Sequence, residues 1–196
     1  MVDKQTLDIM WLDTETTGLI NPRLCEIGWI ITDWKLNEKS SFQAVVDPKY
    51  VEVDLETEDT KTAFVLNGYP ELVEACKLTG ELLQSPWTTG EQWFDAAKGK
   101  RVAGSNPSYD IDVMSFYSSY PVSSLLNDHF GDYHTLDVCS VAAPLLLTNE
   151  IRSLSASTSI STWAGLGEEP KPHRALYGAR RALELYRRLV KRYGCA

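Results

Sequence analysis

The stretch Trp11–Leu12–Asp13–Thr14–Glu15–Thr16–Thr17–Gly18–Leu19 sets two carboxylates two positions apart at the end of an apolar run. The lead-in, Leu7–Asp8–Ile9–Met10–Trp11–Leu12, is too apolar for a free edge, so Thr6 to Thr14 is expected to form a buried strand. In a strand, positions i and i+2 point to the same face, about 6.6 Å apart along the chain. Asp13 and Glu15 therefore share a face. Two carboxylates on one buried face repel unless something cationic lies between them, which makes them candidate ligands for a hard divalent ion. Such an ion prefers oxygen donors and often sits beside substrate phosphate.

Outward from this strand, Gly18–Pro22 forms a turn and Leu24 to Asp33 a second strand; Ser41 to Val46 alternates as a third. Asp47 to Asp59 holds six acids and one lysine and is expected to be a solvated loop. Thr62–Asn67, Pro70–Thr79 and Thr89–Ala97 read as helices, broken at Gly68 and Gly80. Lys100 to Gly104 suits an inner strand feeding a helix over Asp110 to Tyr120, and Tyr133 to Val138 a further short strand with a helix over Ser140 to Leu147 behind it. Ser153 to Thr162 is Ser/Thr-dense and permits a helix. From Ala175 to Arg192, Ala175, Ala179, Ala182, Leu183, Tyr186 and Leu189 make one apolar stripe opposite arginines, an amphipathic closing helix. Strands first, then alternating strands and helices, indicate an α/β layout with a mixed sheet and helices on both faces.

A length of 196 residues predicts a single domain over residues 1–196. With 43% hydrophobic and 23% charged residues, disordered, fibrous and collagen-like chains are excluded. No apolar run approaches the roughly 18 residues that span a bilayer, and the start MVDKQTLDIM lacks a signal-peptide layout, so a cytoplasmic protein without a membrane partner is expected. Cys25, Cys76, Cys139 and Cys195 lie far apart without a CxxC pair and read as reduced thiols. A net charge of −8 argues against coating duplex DNA by broad phosphate neutralisation. The charge is uneven: from Lys171 onward eight Lys or Arg face one acid, Glu184, while the first 170 residues hold eleven basic against twenty-six acidic residues.

Three segments in order resemble one family. Asp13–Thr14–Glu15–Thr16–Thr17–Gly18–Leu19, Ala103–Gly104–Ser105–Asn106–Pro107–Ser108–Tyr109–Asp110 and Pro172–His173–Arg174–Ala175–Leu176–Tyr177–Gly178–Ala179–Arg180 are similar to the motifs of the DEDDh-type 3′–5′ exonucleases. That family includes the proofreading epsilon subunit of bacterial DNA polymerase III and oligoribonuclease. Tyr133 to Val141 is similar to its "LD" segment, and Asn67–Gly68–Tyr69 to a segment packing on the terminal base. The resemblance implies an RNase-H-like fold and hydrolysis assisted by two Mg²⁺ or Mn²⁺ ions. It also implies Asp13, Glu15 and Asp110 as metal ligands, His173 as general base, and Thr16, Thr17, Leu19, Asn67 and Asn106 against the terminal nucleotide. The implied partners are 3′ ends of single-stranded DNA or RNA, with DNA favoured; a replication or repair protein is left open. Asp112 is expected to be a solvated helix acid, and His129 and His134 to be ordinary.

One position departs from the pattern. Where the family's HxAxxD motif has its fourth carboxylate, this chain has Gly178. Glycine inside a helix costs about 1 kcal/mol relative to alanine, so folding is not expected to favour it. The expectation is a severely weakened exonuclease that still binds a 3′ end; a non-catalytic nucleic-acid-binding module and a short-oligonucleotide ribonuclease are the alternatives.

Overall fold

The computed structural model describes residues 7–51, 57–118 and 134–193, with the backbone alone at Ser157. One five-stranded sheet has the order β3-β2-β1-β4-β5, formed by β1 (Ile9–Thr16), β2 (Leu24–Thr32), β3 (Glu38–Val45), β4 (Arg101–Gly104) and β5 (Leu136–Asp137). β1–β2 and β2–β3 pair antiparallel, β1–β4 and β4–β5 parallel. The helices are α1 (Glu58–Asn67), α2 (Tyr69–Thr79), α3 (Pro86–Ala97), α4 (Pro107–Tyr117), α5 (Val138–Val141), α6 (Ala143–Leu147), α7 (Ser161–Ala164) and α8 (Ala175–Tyr193). This is the mixed α/β layout expected from the sequence.

Alternation along β1 sorts the layers. Met10 and Leu12 join Trp93 of α3 and Ile111 and Met114 of α4 in one core, while Ile9 and Trp11 join Ala179, Ala182 and Leu183 of α8 in another. Helices thus cover both faces, and the odd-numbered residues of β1, Asp13 and Glu15 among them, belong to the face that α8 covers. α8 comes in close because β2 carries Gly28 directly across from Asp13. A Cβ at Gly28 would lie 2.5 Å from the carbonyl carbon of Ala175, so only glycine admits the first turn of α8 there.

Several boundaries differ from the sequence reading, for local reasons. α1 begins at Glu58, inside the expected acidic loop, because the Thr57 hydroxyl accepts the Thr60 N–H at 3.2 Å and caps it. α3 begins at Pro86 and α4 at Pro107, where a proline loses no helical hydrogen bond. The remaining loop holds a 3₁₀ turn, Pro48–Tyr50, whose Lys49 N–H is accepted by Asp47. β3 starts at Glu38, before Ser41. Ser140–Leu147 divides into α5 and α6 with Pro144 at the start of the second, and Ser153–Thr162 holds a π turn, Ala156–Ile160, leading into α7. Cys25, Cys76 and Cys139 are free thiols. Thr6, Tyr120, His129, Tyr133 and Cys195 lie outside the described residues. Among those described, no helix is long and apolar enough to cross a membrane.

The basic face of α8 is largely engaged with the protein itself. Arg180 pairs with Glu38 of β3 at 2.7 Å, Arg188 with Glu184 at 2.9 Å and Arg192 with Glu150 at 3.0 Å, while Arg187 donates to the Leu36 carbonyl at 2.6 Å. Arg181 departs from the arginine face expected for this helix: it is 7% exposed.

Candidate active site

Asp13 and Glu15 line a pocket of about 360 Å³ together with Asn106, Glu169, His173, Gly178 and Arg181. The pocket lies between the C-terminal end of β1 and the first turns of α8. Asp110 reaches the site from the other layer. It sits in the first turn of α4, 3% exposed, and its Oδ1 accepts the Thr14 hydroxyl at 2.6 Å. Asn106, just ahead of α4 in the left-handed region (φ 60°), donates its N–H to Asp137 Oδ1 at 3.1 Å, which ties this turn to β5. Asp112 is exposed, as expected. His173 is partly buried in the loop before α8, and its N–H donates to the Leu66 carbonyl at 2.8 Å. Arg174 steadies that loop, its guanidinium donating to the carbonyls of Asn67 at 2.5 Å and His173 at 2.8 Å.

The acids crowd one another. Burial, then Asp110, then Glu15 and Glu169 push the Asp13 carboxyl well above the usual carboxylate range. Burial, then Glu26, its direct partner across the β1–β2 ladder, and then Glu169 raise Glu15 to about 8, against a lowering by Arg174. Burial raises Asp110 to about 7, and it also raises Glu26, whose Oε1 accepts Gln43 at 2.6 Å while its buried Oε2 has no partner among the described residues. Hard oxygen donors sharing an undercompensated negative charge suit a divalent cation in chemical type. The side chains are turned to separate neighbours, Asp110 to Thr14 and Asp13 to Gly178. Among the described residues, no three His, Cys, Asp or Glu are gathered into a ready ion-holding group.

Position 178 faces this set. A Cβ there would overlap the Asp13 carboxylate, 2.7 Å from its Cγ. The helix-propensity view, in which nothing about folding favours glycine at 178, is thereby corrected: the close approach of α8 to Asp13 does favour it.

A second pocket, about 310 Å³, shares Thr14, Glu15 and His173 with the first and adds Thr16, Leu19, Asn67 and Tyr109. Leu19 is 77% exposed at its rim. Thr16 is buried, its hydroxyl donating to the Gly18 carbonyl at 2.9 Å and paired with the Tyr109 hydroxyl at 2.8 Å. Thr17 is buried too, accepting the Arg23 N–H at 3.0 Å. The Asn67 amide is already committed: Nδ2 donates to the Thr16 carbonyl and Oδ1 accepts the Tyr69 N–H, each at 3.0 Å. Asn67 therefore joins the end of α1 to the end of β1.

Sequence reasoning singled out neither Glu169 nor Arg181 as a pocket residue. Glu169 could have been suspected from its place four residues before His173; Arg181 sits one turn beyond Gly178, a relation that the amphipathic reading of α8 concealed.

No family profile and no curated protein matches this sequence. Solved structures do. A moderately thermophilic exonuclease I from Methylocaldum szegediense aligns with 95% of this chain at 16% identity and a TM-score of 0.66. E. coli exonuclease I with a dT13 oligonucleotide aligns with 96% at 16% identity and a TM-score of 0.67, and its zinc-bound form with single-stranded DNA with 96% at 16% and 0.69. The chain spans about two-fifths of those proteins, 40% to 41% of their length. The mixed sheet that brings Asp13, Glu15, Asp110 and His173 to one end of β1 is the RNase-H-like fold of the exonuclease I structures.

Proposed function

We propose that this chain is a metal-dependent 3′–5′ exonuclease of the DEDDh type. It would remove nucleotides from the 3′ ends of single-stranded nucleic acid, DNA favoured, at a rate reduced by Gly178. The observation that carries this reading is that two β1 carboxylates on one face and a histidine at the head of α8 line adjoining pockets, with a buried α4 carboxylate bonded to Thr14, which lines both. The dT13 and single-stranded DNA complexes of E. coli exonuclease I support the substrate class. A replication or repair protein is the partner class in keeping with that substrate.

Asp13, Glu15 and Asp110 would hold the Mg²⁺ or Mn²⁺ ions. When bound, two such ions activate a water and stabilise the leaving 3′ oxygen. His173, its backbone held by Leu66, would take the proton of the attacking water at its imidazole. Leu19 would lie against the terminal base, with Thr16 and Tyr109 shaping the pocket wall below it. Burial of the acids keeps water from screening them, which strengthens their hold on a cation.

Digestion of a labelled panel of linear and circular single-stranded DNA and RNA with and without Mn²⁺ tests the reading. Metal-dependent shortening of linear strands from the 3′ end is expected, with circles left intact. Comparable cleavage of circles would make the chain an endonuclease, and tight binding without cleavage, even with Gly178→Asp, would favour the binding-module reading.

A further inference from the structure

The proposed site lacks a carboxylate at position 178, yet its pocket contains one that the exonuclease motifs do not supply. Glu169 lies in the loop between α7 and α8, partly buried, and lines the same pocket as Asp13, Glu15, His173 and Gly178. Among the described residues it makes no hydrogen bond or ion pair, although Lys171 and Arg174 follow it closely in sequence. A surface glutamate beside basic residues would ordinarily turn toward them or into water.

The loop that carries Glu169 is held from below. Arg181, nine-tenths buried and on the wall of the same pocket, donates through Nη2 to the carbonyl of Gly167, two residues before Glu169. Its Nε is buried without a partner among the described residues. A buried guanidinium with an unused donor edge is costly unless an anionic group shares the site, as a phosphate oxygen or a carboxylate does. Pro170 and Pro172 restrict the chain on either side of Lys171.

We infer that Glu169 supplies the fourth carboxylate of the metal site, reaching from the loop into the place that an acid at position 178 would take, with Arg181 as the positioning residue of that loop. The inference rests on the exonuclease reading and deepens it. Glycine at 178 leaves the Asp13 carboxylate packed directly on α8, and a glutamate has one methylene more than an aspartate with which to cross from the loop toward it. Held by a loop rather than by a helix turn, Glu169 is less rigidly placed, which fits a working but slower site.

Calorimetric titration of the intact chain with Mn²⁺, supported by manganese paramagnetic resonance, reads this without any turnover. The expected result is two ions per wild-type chain. Glu169→Gln should lose the second ion or weaken it at least tenfold, and the exposed neighbour Glu168→Gln should bind as wild type. Gly178→Asp combined with Glu169→Gln should recover two ions. Arg181→Lys, which keeps the charge but not the reach to Gly167, should weaken the second ion while sparing the first. Wild-type binding in Glu169→Gln would overturn this inference alone and leave the exonuclease reading standing. A wild-type chain that takes up no Mn²⁺ would overturn both.

Discussion

The carboxylate of Asp13 lies against the α-carbon of Gly178, where a Cβ would stand 2.7 Å from Asp13 Cγ. Helix propensity and tertiary packing therefore pull in opposite directions at this position. Gly178→Ala should gain up to about 1 kcal/mol from propensity and lose about 1–3 kcal/mol from overpacking. A net loss in urea unfolding of the metal-free chain is expected. In the background of Asp13→Ala the same substitution should become stabilising, and a double-mutant cycle measures the coupling. Additive effects in that cycle would mean that the two residues do not touch.

The acids set a pH dependence whose sign is definite. Burial and then Glu26 raise Glu15 from 4.5 to about 8, so between those values the folded chain keeps a proton that the unfolded chain has released. Stability of the metal-free chain should be fullest below about pH 4.5 as far as Glu15 is concerned and fall as pH rises toward about 8. Asp110, raised by burial from 3.8 to about 7, acts in the same direction over its own window. Glu15→Gln should flatten the profile between pH 5 and 8, to be read by thermal unfolding in EDTA across. Mn²⁺ uptake in the same window should release protons, so that apparent affinity rises with pH.

In the Glu169→Gln background, where no fourth carboxylate remains, Gly178→Asp should raise metal-dependent 3′–5′ hydrolysis by at least about tenfold, since one well-placed electrostatic contact is commonly worth on the order of 10²–10³ in rate. Affinity for a 3′ end should change little, because the gain belongs mainly to the transition state. The Asp13 carboxylate must turn away from 178 to admit the new side chain, so the gain should be larger in Mn²⁺ than the substitution's effect on stability in EDTA would suggest. Single-turnover rates with a short labelled oligonucleotide check this; no acceleration in a folded variant would sink the assignment of 178 as a ligand position.

Leu19 is exposed at the rim of the second pocket, and its truncation should cost the fold little. Leu19→Ala is expected to leave stability within about 0.5 kcal/mol of wild type. Removing its apolar contact with a base should weaken 3′-end affinity by about tenfold. Fluorescence anisotropy with a labelled single strand in EDTA gives that number, and unchanged affinity would remove Leu19 from the nucleotide site.

Local pattern carried much of this protein. The apolar run into Asp13 and the period-two geometry of a strand determined that Asp13 and Glu15 share a face, and the stripe from Ala175 to Leu189 determined that α8 covers a core. The order of strands and helices determined a mixed sheet. These follow from sequence because strand and helix periods are backbone properties, the same wherever the segment ends up. What the tertiary structure decided depends on distant segments meeting. Gly28 of β2 admits α8, and α8 then presses Gly178 onto Asp13, so a residue that propensity counts as unfavourable becomes the one that fits. Arg181, one of a row of arginines in sequence, is drawn inside because the loop at Gly167 folds over it and takes its hydrogen bond. Glu169 lines the pocket of the β1 acids for the same reason: the loop between α7 and α8 returns to that pocket, and no local period encodes where a loop returns.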